Sequence, residues 1–281
     1  MKRFFALTLC TFLAVASLFA DDVPRLEEKN LSYLDIKTFE KADTYQQAQC
    51  RLDYSFPADK PGFATIIWLH GGGLTGGTKD IPVLRDKSIG VIGVGYRLSP
   101  NAAHPAYLED AAAATAWTLR HIAEHGGDPK RVFIAGHSAG GYLAAMIGMD
   151  PRWLAAQGLS NRDLAGIIPV SAQVTTHFQV KKLLGDTDPE FRPIINDLAP
   201  LYYASKDLPP ICLILGDRAI EYKNRVEENL LLAAALRNLG HPMVEFYEMG
   251  GLNHGSVYDG SLILMPGFVK RVTAVQKAAA K

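Results

Sequence analysis

Short apolar runs and longer stretches with helical periodicity alternate along most of this chain. The apolar runs are continuous rather than alternating: FATIIWL, SIGVIGVGYRL, RVFIAGHS, LAGIIPVSA, PPICLILGD and MVEFYEM. Such runs are typical of parallel strands that are covered on both faces. Helical stretches separate them, among them PAYLEDAAAATAWTLRHIAEHGG and RVEENLLLAAALRNLGH. The pattern predicts an α/β fold with a mostly parallel central sheet and helices on both faces.

Two weaker patterns lie at the ends of this region. AQCRLDYSFP alternates roughly between apolar and polar residues, as an edge strand does. Residues 267–280 are expected to form a closing helix.

The first residues do not fit the strand and helix pattern. The chain begins MKRFFALTLCTFLAVASLFADD, where two basic residues precede an apolar stretch that ends at an acidic pair. This is the layout of a secretory signal peptide, and the stretch is slightly short for a membrane span of about 20 apolar residues. We expect residues 1–20 to be a signal peptide and residues 21–281 a single domain. The protein is then exported, to the periplasm or outside the cell, with no stable membrane insertion after cleavage.

Composition narrows the range of partners. The 281 residues include 29 basic and 29 acidic side chains, so the formal net charge is zero, and nucleic-acid binding, which usually needs a basic face, is not expected. Beyond the signal segment the cysteines are Cys50 and Cys212. Nothing indicates that their strands are adjacent, so we expect buried free thiols rather than a disulfide. No spacing resembles a metal site.

One apolar run ends in a turn that carries a serine between glycines. The run RVFIAG leads into His137, Ser138, Ala139 and Gly140, after which a helical pattern begins. This arrangement matches the nucleophile elbow, a strand-to-helix turn that exposes a serine hydroxyl at the edge of the sheet. Ser138 is therefore a candidate nucleophile. The alternative is a glycine-rich helix start that Ser138 only caps.

Other reactive residues also follow predicted strands, whose carboxyl ends meet at one edge of the sheet, where active sites of such folds lie. HGGG, residues 70–73, follows TIIWL, and glycine amides can approach an oxyanion closely and donate to it. His254 follows MVEFYEM in a glycine-rich loop and is a candidate general base. An acid that orients this histidine should follow ICLILG, where Asp217 and Glu221 stand.

Together these motifs resemble the α/β-hydrolase fold, and specifically its hormone-sensitive-lipase-like and acetyl-esterase-like (carboxylesterase) group. The shared stretches are WLHGGGLTGGTKD, GYRLSPNAAHPAYLEDAAAA, AGHSAGG and GGLNHGS, and they extend from about residue 52 to the C-terminus. The resemblance implies a serine esterase without a metal or organic cofactor. It also implies structural roles for Glu109 and Asp110.

The same resemblance assigns most of the site. It implies that Ser138 is the nucleophile, that His254 is the base, and that an oxyanion hole is formed by the amides of Gly72, Gly73 and Ala139.

The acid departs from the group's pattern. In many relatives it lies three residues after the strand-ending glycine, where this chain has Ala219. Asp217 lies two residues too early and Glu221 two residues too late. We prefer Asp217, because it stands at the strand end itself. Glu221 is the alternative, because a longer side chain can reach back to the histidine.

These features predict a secreted serine carboxylesterase. Only a short segment, without a long apolar lid, separates LAGIIPVSA from PPICLILGD, which favours short acyl groups over lipids. Export favours acetyl or feruloyl groups on a polysaccharide as the substrate. Two alternatives stay open. One is a peptidase or amidase of the same fold, such as an arylformamidase-like enzyme. The other is a non-catalytic hydrolase-fold binding protein, whose support is the displaced acid.

Overall fold

Strands and helices alternate to build one sheet with helices packed on both of its faces. The computed structural model describes residues 23–279, so the predicted signal segment, residues 1–20, lies outside the described residues. The strands are β1 (Arg25–Ser32), β2 (Arg51–Pro57), β3 (Phe63–Leu69), β4 (Gly90–Val94), β5 (Gly127–His137), β6 (Gly166–Val170), β7 (Ile211–Gly216) and β8 (Val244–Met249). The α-helices are α1 (Ile36–Lys41), α2 (Thr44–Gln49), α3 (Ala106–His121), α4 (Ala139–Met149), α5 (Pro151–Ala155), α6 (Phe178–Leu183), α7 (Arg225–Asn238) and α8 (Val257–Ala279).

The eight strands lie in the order β1-β2-β4-β3-β5-β6-β7-β8. From β4 to β8 every neighbouring pair is parallel, whereas β2 pairs antiparallel with both β1 and β4. The predicted mostly parallel α/β sheet is therefore confirmed. The assignment of AQCRLDYSFP to an edge strand is wrong, because β1 covers the outer side of β2. The sequence of β1 does not show the hydropathy pattern of a strand, because most of its side chains are exposed.

The continuous apolar runs are explained by packing on both faces of the sheet. In β3, Ile67 and Leu69 belong to the core cluster that includes side chains of α3 and α4, whereas Ile66 and Trp68 belong to the cluster on the opposite face, which includes side chains of α8. All four side chains are fully buried. Burial of each such side chain contributes roughly 1.5–3 kcal/mol to stability. Because both faces are covered, no polar residue is needed at alternate positions.

The closing helix begins earlier than the sequence pattern predicts. Helix α8 starts at Val257, directly after the loop that carries His254, and Pro266 lies inside it. A proline favours a helix boundary in the sequence, but here Pro266 is accommodated within the helix. Within residues 23–279, no helix is both long and apolar enough to cross a membrane. Cys50 and Cys212 are both buried and unpaired.

An arginine–aspartate pair fixes the loop after β4. The guanidinium of Arg97 donates to both carboxylate oxygens of Asp110 at 2.7 and 2.8 Å, and the Arg97 amide donates to the same carboxylate. Asp110 is buried in α3, and the neighbouring Glu109 makes a more exposed ion pair with Arg97. The acidic pair Glu109 and Asp110 therefore has a structural role, in which both carboxylates bind Arg97.

Candidate active site

Ser138 stands between β5 and α4 in a strained conformation. Its backbone has φ +55° and ψ −116°, a region that costs a non-glycine residue of order 1–3 kcal/mol. The glycines on either side are required by close approach of the chain. A Cβ at Gly140 would lie 2.0 Å from the carbonyl oxygen of Leu69, and one at Gly136 would lie 2.4 Å from Gly140. The tight turn therefore holds the Ser138 hydroxyl at the carboxyl end of β5.

A chain of hydrogen bonds joins this serine to a histidine and a glutamate. The Ser138 hydroxyl donates to Nε2 of His254 at 2.8 Å, and Nδ1–H of His254 donates to Oε1 of Glu221 at 2.7 Å. The Glu221 side chain is fully buried, whereas that of His254 is 20% exposed. This is the geometry of a nucleophile, a base and an orienting acid.

Hydrogen bonds hold both oxygens of the Glu221 carboxylate. Besides His254, Oε1 accepts from the Tyr222 amide at 2.8 Å, while Oε2 accepts from the Ser171 hydroxyl at 2.6 Å and from the Gly216 amide at 3.3 Å. Burial raises the pKa of Glu221, but the hydrogen bonds from His254, Ser171 and Tyr222 outweigh it and lower the pKa to about 2. The carboxylate is therefore ionised at neutral and mildly acidic pH.

The preferred acid, Asp217, does not contact His254. Its carboxylate is partly exposed and accepts from the amides of Ala219 at 2.9 Å and Gly251 at 2.8 Å. The reason is a tight turn after β7, in which the Glu221 amide donates to the Asp217 carbonyl at 2.8 Å. One turn of chain therefore carries Glu221, rather than Asp217, to the histidine. The geometry corrects the preference for Asp217 in favour of the alternative.

The glycine loop after β3 lies against the elbow. A Cβ at Gly71 would stand 3.4 Å from the Cβ of Ser138. Gly72 and Gly73 have positive φ angles of +118° and +64°, which glycine adopts without strain. Among the described residues, the amides of Gly72, Gly73 and Ala139 donate to no other protein group. The loop that carries two of the expected oxyanion donors thus lies against the elbow at Gly71, and the hydrogen-bonding capacity of all three amides is unused.

Two residues that the sequence analysis did not assign to the site contact this hydrogen-bonded chain. Ser171 directly follows β6. Its hydroxyl lies 2.9 Å from Nδ1 of His254 and donates to Oε2 of Glu221 at 2.6 Å. His137 donates from Nε2 to the carbonyl oxygen of His254 at 2.7 Å. Both stand at strand ends, which is the signal that could have marked them.

His137 is held as a neutral side chain. Burial, and then the neighbouring His254, lower the pKa of His137 to about 4. Since its Nε2–H donates to a carbonyl, it fixes the backbone of the histidine loop and does not serve as a second base.

Acidification from pH 6.5 to pH 4 is expected to destabilise the protein partly through His137. An unfolded histidine takes up a proton near pH 6.5, whereas folded His137 does so only near pH 4. The unfolded state therefore binds more protons in this window, and stability present above pH 6.5 is lost as the pH falls, by roughly 3 kcal/mol at most. His137→Asn can still donate to the His254 carbonyl and should flatten the plot of unfolding free energy against pH. His121→Asn, at the end of α3, is the control, and an unchanged slope in His137→Asn would contradict the assignment.

Two further histidines make structural contacts. The ring of His70 stacks on Tyr96 with centroids 4.3 Å apart, and its Nδ1–H donates to the Gly71 carbonyl at 2.7 Å. His177, in the segment after β6, is buried at the start of α6, where its Nδ1 accepts from the Gln179 amide. Their side chains are engaged in these contacts, whereas His254 is the histidine hydrogen-bonded to the Ser138 hydroxyl.

A row of aromatic side chains flanks the reactive groups. The Tyr222 ring lies 4.3 Å from the His254 ring, Phe191 lies 6.2 Å from Tyr222, and Phe178 lies 6.4 Å from Phe191. Phe178 closes the row near the oxyanion loop, where a Cβ at Gly73 would be 3.7 Å from its ring. Tyr222 is 50% exposed. The row offers an apolar surface beside His254.

Relatives of known activity share parts of the sequence. The chain is 38% identical over 97 residues to carboxylesterase NlhH of Mycobacterium tuberculosis, a match that covers 32% of this chain and 30% of that protein. It is 29% identical over 216 residues to an ethyl acetate hydrolase of Pseudomonas putida, covering 62% of this chain and 64% of that protein. The matched segments thus span about a third to two thirds of these curated relatives. They confirm the resemblance to esterases of this group.

Solved structures share the fold. A truncated carbohydrate esterase from gut microbiota has a TM-score of 0.67 at 19% identity, covering 90% of this chain and 99% of that one. Esterase B from Lactobacillus rhamnosis has a TM-score of 0.69 at 19% identity, covering 91% and 88%.

The model of one protein family covers most of the chain. It is described as the alpha/beta hydrolase fold and matches residues 66–257, a range that includes the elbow, the glycine loop and His254. The chain therefore belongs to the alpha/beta hydrolase fold family.

Proposed function

We propose that this protein is an exported serine carboxylesterase that hydrolyses short-acyl esters, with acetyl or feruloyl groups on a polysaccharide as its substrates. The observation that carries the proposal is the hydrogen-bonded chain from Ser138 through His254 to the buried carboxylate of Glu221. Relatives named carboxylesterase and ethyl acetate hydrolase support the reaction type. The N-terminal basic and apolar pattern supports export.

The geometry performs acyl transfer in two steps. Ser138 Oγ attacks the ester carbonyl while its proton moves to Nε2 of His254, and the carbonyl oxygen becomes an oxyanion bound by the unused amides of Gly72, Gly73 and Ala139. The bond to the alcohol then breaks, and the alcohol leaves with the proton from His254. Water then attacks the acyl-serine and loses its proton to His254, and His254 passes this proton to Ser138 Oγ as the bond to serine breaks and the carboxylic acid is released.

Glu221 acts on the charged form of the histidine. While His254 carries two protons, the ionised carboxylate at 2.7 Å stabilises the imidazolium and keeps its Nε2 aimed at Ser138. The buried position of Glu221 strengthens this interaction, because few water molecules screen it.

The structure also bears on substrate size. The segment between β6 and β7 contains only the six-residue helix α6 and a short 3-10 helix. No long apolar lid is present between these strands. A site of this kind suits short acyl groups better than an aggregated lipid.

A fluorophosphonate probe tests the reaction type. The intact protein should take up one label on Ser138, and it should hydrolyse nitrophenyl acetate much faster than esters of long acyl chains. An aminoacyl anilide in the same panel separates an esterase from a peptidase or amidase. A protein that takes up no label at Ser138 would be a non-catalytic member of the fold. Release of acetate or ferulate from acylated xylo-oligosaccharides tests the substrate, and cleavage of long-chain esters alone would exclude it.

Tyr222 is expected to favour esters of sugars. His254 protonates the leaving alcohol, so the alcohol lies on the side where the half-exposed Tyr222 ring stands 4.3 Å from the imidazole. A sugar ring can bury its apolar face there. Tyr222→Ala should lower the ratio of kcat/KM for an acetylated xylo-oligosaccharide to kcat/KM for ethyl acetate by roughly tenfold, the size of one lost apolar contact. Tyr222→Phe keeps the ring and should keep the ratio. An unchanged ratio in Tyr222→Ala would place the sugar elsewhere.

A further inference from the structure

Ser171 occupies an unusual backbone position beside the reactive groups. It directly follows β6, is fully buried, and has a positive φ of +46°. Its amide donates to the carbonyl oxygen of Ile214 in β7 at 2.7 Å, and on the other side Val170 accepts from the amide of Ser138 at 2.9 Å. The residue is therefore fixed between the strand that ends in the elbow and the strand that precedes Glu221.

The Ser171 hydroxyl contacts two members of the hydrogen-bonded chain. Its oxygen lies 2.6 Å from Oε2 of Glu221 and 2.9 Å from Nδ1 of His254. An ionised carboxylate can only accept, so the hydroxyl proton goes to Glu221. The lone pairs of the same oxygen then face Nδ1–H of His254, which donates mainly to Glu221 at 2.7 Å.

Glu221 has a particular need for such a contact. Its side chain has one more rotatable bond than an aspartate, and holding it in one rotamer costs conformational entropy. It reaches back over Gly216, where a Cβ would lie 2.8 Å from Oε2. Apart from Ser171, the described residues give Oε2 only the Gly216 amide, at 3.3 Å.

We propose that Ser171 is a positioning residue, whose hydroxyl holds the Glu221 carboxylate in the orientation that accepts the hydrogen bond from Nδ1–H of His254. It acts through Glu221 and touches no reacting atom. The inference rests on the proposed function, since it assumes that Ser138, His254 and Glu221 carry the reaction. The additional hydrogen bond compensates for an acid that stands later in the chain than is usual for this group.

Two substitutions at Ser171 separate the hydroxyl from the strained backbone. Ser171→Ala and Ser171→Gly both remove the hydroxyl, but glycine adopts φ +46° without strain, so Ser171→Gly should be the more stable of the two variants. Both variants should lower kcat for nitrophenyl acetate by roughly 10- to 100-fold, the effect of one hydrogen bond to a charged group. KM should change less than about twofold, because no contact with substrate is lost. Ser261→Ala is the matched control, since that buried hydroxyl donates to the Tyr258 carbonyl at 2.6 Å, away from the triad.

A double-mutant cycle distinguishes positioning from a general structural effect. In Glu221→Ala, the further change Ser171→Gly should cost almost nothing, because its route of action has been removed. The low-field proton resonance of His254 Nδ1–H should weaken or shift in Ser171→Gly. Folded Ser171→Gly with wild-type kcat, or independent losses in the cycle, would overturn the proposal. If the wild-type protein takes up no phosphonate at Ser138, the proposed function fails instead, so the two failures are distinguishable.

Discussion

Ser138→Ala is expected to lower kcat for nitrophenyl acetate by about 10⁶-fold, the loss typical of a removed triad serine. The hydroxyl that attacks the carbonyl is removed, whereas His254, Glu221 and the oxyanion amides stay in place. KM should change little, because binding of the ester does not depend on the covalent step. The measurement is nitrophenolate release by purified protein, together with intact-mass analysis after treatment with the fluorophosphonate.

A second substitution at Ser138 uses the strain of the elbow. Ser138→Gly should be as inactive as Ser138→Ala but more stable, by about 1–2 kcal/mol, because glycine adopts φ +55° readily. Urea unfolding of both variants measures this difference. Activity of Ser138→Ala within tenfold of wild type would show that another residue is the nucleophile.

Glu221→Ala is expected to lower kcat by about 10⁴-fold, whereas Asp217→Ala should lower it less than about tenfold. The first change removes the carboxylate that orients His254 and stabilises its charged form. The second removes only hydrogen bonds to the amides of Ala219 and Gly251. Steady-state kinetics of the two variants on one ester, with circular dichroism to show that both are folded, decide between the acids.

The opposite ranking would reject the geometry. If Asp217→Ala were the more damaged enzyme, the turn after β7 would have to rearrange to bring Asp217 to His254. Glu221→Gln provides a finer control, because it keeps the volume of the side chain and removes its charge. It should remain at least 10²-fold below wild type, since a neutral amide stabilises the imidazolium poorly.

Most of the parallel sheet could be predicted because its strands are covered on both faces. Ile66 to Leu69 are all buried, and a continuous apolar run is the direct result. Strand β1 could not be predicted in this way. Its acidic side chains at Glu27 and Glu28 accept hydrogen bonds from β2 and remain exposed. Pairing at the edge of the sheet depends on backbone hydrogen bonds, which have no hydropathy pattern.

The candidate site divides in the same way. Ser138 and His254 could be found because each follows a buried strand within a glycine motif. The acid could not be settled, because counting residues from the end of β7 says nothing about how the chain then turns. The hydrogen bond from the Glu221 amide to the Asp217 carbonyl closes that turn, so that the carboxylate of Glu221 and not that of Asp217 reaches His254. The sequence does not single out Ser171, because a single serine after a strand can have many structural uses.

The hydrogen bonds of Asp217 limit how far the histidine loop has to move during turnover. Its amide donates to the Leu252 carbonyl at 2.7 Å and its carboxylate accepts from Gly251, so it ties the histidine loop to the end of β7. Neither bond involves a group that gains or loses a proton during the reaction. The loop backbone is thus anchored independently of the charge on His254, and His137 anchors it from the other side. Each proton transfer can then proceed with little reorganisation of the chain, and only the imidazole itself has to adjust between attack and release.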